Sequence, residues 1–349
     1  MKTTTVVITA VIGTLALAIG AWGLRPHARQ SIFEHLQETP QLAMTIESDW
    51  SAMLKDKAAD VSQDARVTYT TADGKAYSWQ AKVKTRGKTR REICDFPPLK
   101  LRFEEEDLKA KGMVPSFNSL KLVTQCNTDE QLLLKEYLAY RLYNHMTNHS
   151  FKVHLARVTY RDAEGKVAPF EQYALILENA DEMAARLSGH LLENEETSLS
   201  KVDAEQYRLL TVFQYMIGNT DWNMSKHHNI KLLQLKDKMA PTPVPYDFDY
   251  AGLVNAPYAK PHPQLPIQSV TQRLFQWRGQ NATALEHTLA QFKCKKNALL
   301  KEVRQLEGLR PEVRTEALTY LETFFELLER KELKGEAIVN VFNTEGKVS

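Results

Sequence analysis

Apolar and polar residues alternate through positions 66–87, RVTYTTADGKAYSWQAKVKTRG, on both sides of Asp73-Gly74. A period of two around that dipeptide predicts a β-hairpin. The segments PPLKLRF and NSLKLVTQC continue the strand pattern, and EEEDLKAKG between them reads as a solvated loop. Thr128 and Gln131 form a capping-box pair ahead of LLLKEYLAYRLYNHM, where Leu134, Tyr137, Leu138 and Leu142 recur at helical spacing. FKVHLARVTYRDAEGKVAPFEQYALILE predicts a second hairpin turning near Glu164-Gly165. Asp203 with Gln206 opens a further helix, with Leu209, Leu210, Phe213, Met216 and Ile217 on one face and Gly218 as its stop. Residues 282–333 read as two helices broken at Arg310-Pro311. Strands dominate the first half and helices the second, which is an α+β order.

The amino terminus follows neither pattern. Nineteen apolar or small residues, 6–24, lie between Lys2 and the group Arg25, His27 and Arg29. That length spans a bilayer core as a helix, so the segment predicts an uncleaved membrane anchor or a cleaved signal, with LAIGA as a loose cleavage site. The basic residues following the run outnumber the single Lys before it, against the positive-inside rule. The layout of Lys, apolar run and then the whole domain favours export, with the chain facing the periplasm or the cell exterior. The expected division is a membrane anchor or signal at 1–25, a polar stalk at 26–63, a β-rich part at 64–180, a helical part carrying the chemistry at 181–280 and a helical scaffold at 281–349.

The 349 residues carry 45 basic and 43 acidic side chains, a formal net charge of +2. No overall field argues for nucleic acid as a partner, so charge-driven recognition has to be local. Cys94, Cys126 and Cys294 have no CxxC spacing and give poor support for zinc. In an oxidising compartment Cys94 and Cys126, in neighbouring strand-like segments, are the candidate disulfide; three reduced, buried thiols are the alternative.

Candidate chemistry gathers after Gly218. GNTDWNMSKHHNIKLL places Asp221, Asn223, His227, His228 and Asn229 in a loop between a helix and a short strand. PVPYDFDYAG then sets Asp247 and Asp249 on either side of Phe248. On a strand these two carboxylates share a face while Phe248 anchors the other. Like charges held so close favour a divalent cation between them. His227 and His228 are adjacent, so on a strand only one faces a site, and an exposed or core role is preferred for both. Arg86, Arg90 and Arg91 read equally as a phosphate-binding group or a solvated basic face. The segment NAPYAKPHPQLP, with Tyr258, Pro261 and Pro263, reads as an ordered irregular loop over the site.

Together, GNTDWNMSKHHNIKLL and PYDFDY resemble the Asn-x-Asp…His-Asn and Trp-Asp-x-Asp signatures of the kinase-like CotH family. TRGKTRR with PPLKLRF is similar to its Arg-Gly element and Lys-bearing strand, and YALILENADEMAARL to the segment joining its lobes. The resemblance covers roughly residues 86–252. It implies a two-lobed kinase-like fold, with a β-rich N-terminal lobe and a helical C-terminal lobe, that transfers phosphoryl from ATP to a protein or small-molecule hydroxyl with Mg²⁺ or Mn²⁺. Carried over, Asp221 is the base or hydroxyl-orienting residue, and Asn229, Asp247 and Asp249 are metal ligands. Arg86 and Gly87 lie near the phosphates, Lys100 or Lys121 binds phosphate, Glu136 is the lysine's ion-pair partner, and Glu178, at the junction between lobes, belongs to the cofactor-binding set. Two departures stand out: seven residues separate Asp221 from Asn229 where the family has about four, and Tyr246 replaces the Trp. A non-catalytic pseudokinase acting as a binding module, or a metal-dependent hydrolase using the same carboxylates with His228, are the competing expectations.

Overall fold

The computed structural model describes residues 30–126, 129–192, 198–279 and 281–330. Ser31 caps the first helix, α1 (Ile32–Gln37), in a capping box with Glu34. The strand β1 (Leu42–Ser48), helix α2 (Trp50–Lys55), β2 (Gln63–Thr70) and β3 (Ala76–Thr85) follow. The tight turn between β2 and β3 is made by Gly74 at φ 84°, where a side chain would be strained. Helix α3 (Lys88–Ile93), β4 (Leu99–Phe103), α4 (Glu105–Ala110), β5 (Ser119–Thr124) and the long α5 (Glu130–Met146) come next. After them run β6 (Val153–Asp162), β7 (Phe170–Leu177), α6 (Ala180–Arg186) and β8 (Gly189–Leu192). The described part finishes with α7 (Ala204–Ile217), β9 (Ile230–Leu235), β10 (Thr242–Pro245), α8 (Ala282–Gln305) and α9 (Pro311–Glu329).

The first seven strands close into a barrel in the order β1-β2-β3-β4-β5-β7-β6. Closure comes from β1, which pairs antiparallel with β2 and parallel with β6. Alternate residues point inward, so Ile46, Val67, Trp79, Val83, Leu122 and Val158 are fully buried in one interior. Ile32, Phe33 and Leu36 of α1 join that interior. A second core holds α5, α7, α8 and α9 together with a three-stranded sheet of order β10-β9-β8.

One stretch of sheet serves both cores. Along β7, Ala174 and Ile176 point into the barrel, whereas Leu175 and Leu177 point out against the helices. In the same way β5 gives Leu120 and Leu122 to the barrel and Val123 to the helical core. A strand covered on both faces carries an unbroken apolar run, and YALIL is such a run.

Several expectations are corrected here. The expected two-lobed kinase-like fold is not what the chain adopts: its β-rich part is a closed seven-stranded barrel, accompanied by helices. The segment expected as a stalk supplies, in its described part, the barrel's closing strand β1 and an apolar helix α1 buried in the barrel core. The alternation in LAMTIES is only seven residues long, too short a local signal to reveal a barrel strand. EEEDLKAKG forms the helix α4, with Leu108 fully buried beneath it. The cap of α5 is Asp129, which accepts from the Gln131 amide; Thr128 lies outside the described residues. The expected anchor or signal at 1–25 also lies outside them. Among the described residues no helix is long and apolar enough to cross a membrane.

Candidate functional site

A cavity of about 350 Å³ opens between the barrel rim and the segments that follow α7 and β10. Three stretches of backbone shape it. At the end of β3, the Arg86 amide donates to the Pro98 carbonyl at 2.8 Å, and Gly87, at φ 82°, turns the chain into α3. The disulfide Cys94–Cys126 then ties the end of α3 to the end of β5. Of the two sequence alternatives for the thiols, the paired one is found; Cys294 is free and exposed.

The second stretch leaves α7. Asp203 caps that helix at its start, and Gly218 ends it in the left-handed conformation at φ 67°. A side chain at Gly218 would also meet the Tyr320 hydroxyl. The buried Asn219 side chain accepts from the Asp221 amide at 3.0 Å and so fixes where Asp221 begins. The extra residues between Asp221 and Asn229 fold back on themselves, since Asn223 and His228 pair through both backbone hydrogen bonds. Asp221 and Asn229 thereby become neighbours. Asn229 Nδ2 donates to the Asp221 carbonyl at 2.8 Å and to its carboxylate at 3.0 Å. His228 Nε2 stands 2.9 Å from the other Asp221 oxygen.

The third stretch follows β10. The Asp-x-Asp segment was expected as a strand, but β10 ends at Pro245 and the chain turns, with Asp247 at φ 64°. Asn229, at φ 54°, is also left-handed, so two non-glycine left-handed residues line the cavity. Such conformations persist only where surrounding structure holds them, and they gather at functional sites. What holds Asp247 is visible: its amide donates to the Tyr140 hydroxyl at 2.8 Å, and the fully buried Phe248 packs on Tyr140 and Phe213.

Arg86, Gly87, Asp221, Asn229, Asp247 and Asp249 all line this cavity. The two candidate lysines lie to one side, facing each other across β4 and β5 as Lys100 and Lys121. Desolvation, then the charges of Arg86 and Lys231, pushes the Lys121 ammonium down to about 8, while Asp247 pulls it the other way. Neither lysine is the partner of Glu136. That buried carboxylate is paired at 2.8 Å with Arg90, which also contacts Asp249 at 2.8 Å. The expected Lys–Glu pair is thus an Arg–Glu pair. Glu178 is not brought to the cavity: it is buried against Arg186, at 2.7 and 2.9 Å, and accepts from the Lys152 amide.

Arg90, Tyr140 and Tyr258 are the residues of the candidate site that sequence reasoning missed or left open. Tyr258 donates to Asp249 at 3.1 Å, in line with the expectation that its loop covers the site. Desolvation, followed by the charge of Asp249, pushes Asp247 above the usual carboxylate range, and Arg90 and Arg86 oppose the rise.

Among the described residues no group of three or more His, Cys, Asp or Glu side chains is placed to hold a metal ion. The cavity is lined instead by a mixed pair of oxygen donors, the carboxylate of Asp247 and the amide oxygen of Asn229, whose nitrogen is already committed to Asp221. Such a set fits a hard cation like Mg²⁺, which binds through one or two carboxylates and completes its shell with water and substrate phosphate. No protein-family model matches this chain, and the comparison with curated proteins gave no match. The chemistry of the cavity therefore has to be argued from its own residues.

Proposed function

We propose that the cavity binds a nucleoside triphosphate with one divalent cation and transfers its terminal phosphoryl group to a hydroxyl, as the resemblance to the CotH family implies. The observation that carries this reading is the convergence of Asp221, Asn229 and Asp247 on the same cavity as Arg86, with Lys100, Lys121 and Lys231 close by. Acidic and amide donors suit the cation, and the basic cluster suits the phosphates.

In the proposed step the acceptor oxygen bonds the γ-phosphorus, the bond from that phosphorus to the β–γ bridging oxygen breaks, and the nucleoside diphosphate leaves. The hydroxyl proton passes to Asp221, whose carboxylate His228 and Asn229 hold in one orientation. The bound cation supplies charge neutralisation for the phosphates. Arg86 adds a guanidinium whose planar fork suits phosphate oxygens. The kinase-like activity rests on these groups and on the resemblance; the barrel fold contributes no support to it.

A second reading, a binding module without turnover, is favoured by the Arg90–Glu136 pair that stands where the family has a lysine. Thermal melting of the full chain with millimolar Mg²⁺ or Mn²⁺ and ATP tests binding. Saturation at a hundred times Kd stabilises by about 2.7 kcal/mol, a rise of a few degrees in Tm. Asp247→Ala is expected to abolish that rise, and a rise that survives the substitution removes Asp247 from the site. Transfer of label from [γ-³²P]ATP to an acceptor separates the two readings: a transfer lost in Asp221→Asn supports catalysis, and binding without transfer supports the module.

A further inference from the structure

We infer that Arg90 is a resident cation of the site, taking the place between Asp247 and Asp249 where a second divalent ion would sit, so that the cavity accepts a single ion. This rests on the proposed nucleotide–cation reading and narrows it. The guanidinium Nη2 lies 2.8 Å from both Glu136 Oε2 and Asp249 Oδ2, and Nε lies 3.0 Å from the same Asp249 oxygen. Asp247 Oδ1 stands 3.9 Å from Nη2.

All three members of the pairing are withdrawn from water, the side chains of Arg90, Glu136 and Asp249 being 11%, 3% and 7% exposed. Two buried carboxylates need a positive charge between them, and the chain provides it from one of its own side chains. Asp249 Oδ2 is moreover fully engaged, taking two donors from Arg90 and one from Tyr258. A dication bridging Asp247 and Asp249 would stand against the guanidinium within contact distance and would have to displace it. The Asn229–Asp247 side of the cavity carries no such guanidinium and is the side left for an ion.

The arm that delivers Arg90 is built to stay in place. The residue lies in a one-and-a-half-turn helix bounded by Gly87 on one side and by Cys94, in its disulfide, on the other. Glu136 projects from the middle of α5, whose neighbouring Tyr140 holds the Asp247 amide. Arg90 is therefore a positioning residue: it orders Asp249 and Glu136 and leaves Asp247 directed at the cation.

The number of Mn²⁺ ions per chain, counted by electron paramagnetic resonance of free Mn²⁺ with and without ATP, tests the assignment. Wild type with ATP is expected to take up one ion, and two ions overturn the inference. Arg90→Ala leaves Glu136, Asp247 and Asp249 facing one another without a cation. It is expected to gain one Mn²⁺ over wild type even without ATP, with affinity at least ten-fold tighter than the wild type shows under the same condition. No gain overturns the inference. If Arg90→Ala does not fold, Arg90→Gln, which keeps a hydrogen-bonding head group, carries the same comparison. Failure of wild type to take up any ion with ATP would end the nucleotide reading, while the ATP-free comparison of variant and wild type would still decide the role of Arg90.

Discussion

Glu182 shows how one buried carboxylate sets the behaviour of a distant end of the chain. It accepts from the hydroxyl of Ser31, the cap of α1, and its second oxygen has no partner. Burial, only partly offset by that hydrogen bond, pushes its pKa up to about 7 from the usual 4.5. A carboxyl raised in the folded state is ionised first in the unfolded chain, so stability falls as pH rises from about 4.5 to about 7 and then levels off. Glu182→Gln is expected to flatten this dependence and to stabilise the protein at pH 8 by on the order of 2–3 kcal/mol, with little change at pH 4.5. Thermal melting of both proteins across that range checks the sign. At the same scale, the Asp221 carboxylate and its neighbours were legible in sequence because Gly218 ends α7 and leaves polar residues where a rigid helix stops. The left-handed backbone of Asp247 was not, since nothing local forces an aspartate to φ 64°; the Tyr140 hydroxyl and the burial of Phe248 do.

Among the elements, α3 depends most on a covalent bond. It has six residues, too few for stability by itself, and no side chain caps its start. The disulfide spans 32 residues of sequence and closes the loop that holds β4, α4 and β5. By loop-closure entropy, its removal is expected to cost about 3–4 kcal/mol. Cys94→Ser with Cys126→Ser should melt lower by that amount, and with Arg90 no longer held against Asp249 and Glu136 Mn²⁺ uptake without ATP should rise toward that of Arg90→Ala. Unchanged melting would show that packing alone seats the helix. The α7 helix is the opposite case: its cap, apolar face and glycine stop were all readable, because each signal lies within the helix or one residue beyond it.

Over the whole molecule, the strands β5 and β7 carry the coupling between two cores. Leu175 belongs to the helical core and its neighbours Ala174 and Ile176 to the barrel. Neither core can lose these strands without exposing the other, so the described part is expected to unfold in one cooperative transition. Leu175→Ala, at a fully buried position, should destabilise by about 2–5 kcal/mol and move a single calorimetric peak as a whole. Two separated peaks, only one of them shifted, would show that barrel and helices are independent units.

Sequence by itself determined the segments whose signal is local: the hairpin at Gly74, the helices α5 and α7, the break before α9 and the polar turns that hold Asp221 and Asn229. Periodicity and capping act within a turn or two of backbone, so they survive in the order of residues. Tertiary structure alone decided that β1 closes the sheet into a barrel, that Arg90 rather than a lysine meets Glu136 across 46 residues, and that Asp247 and Asp249 share a wall without sharing a strand. Barrel closure and charge pairing are set by which distant groups approach in space, and the spacing of residues along the chain carries no record of that distance.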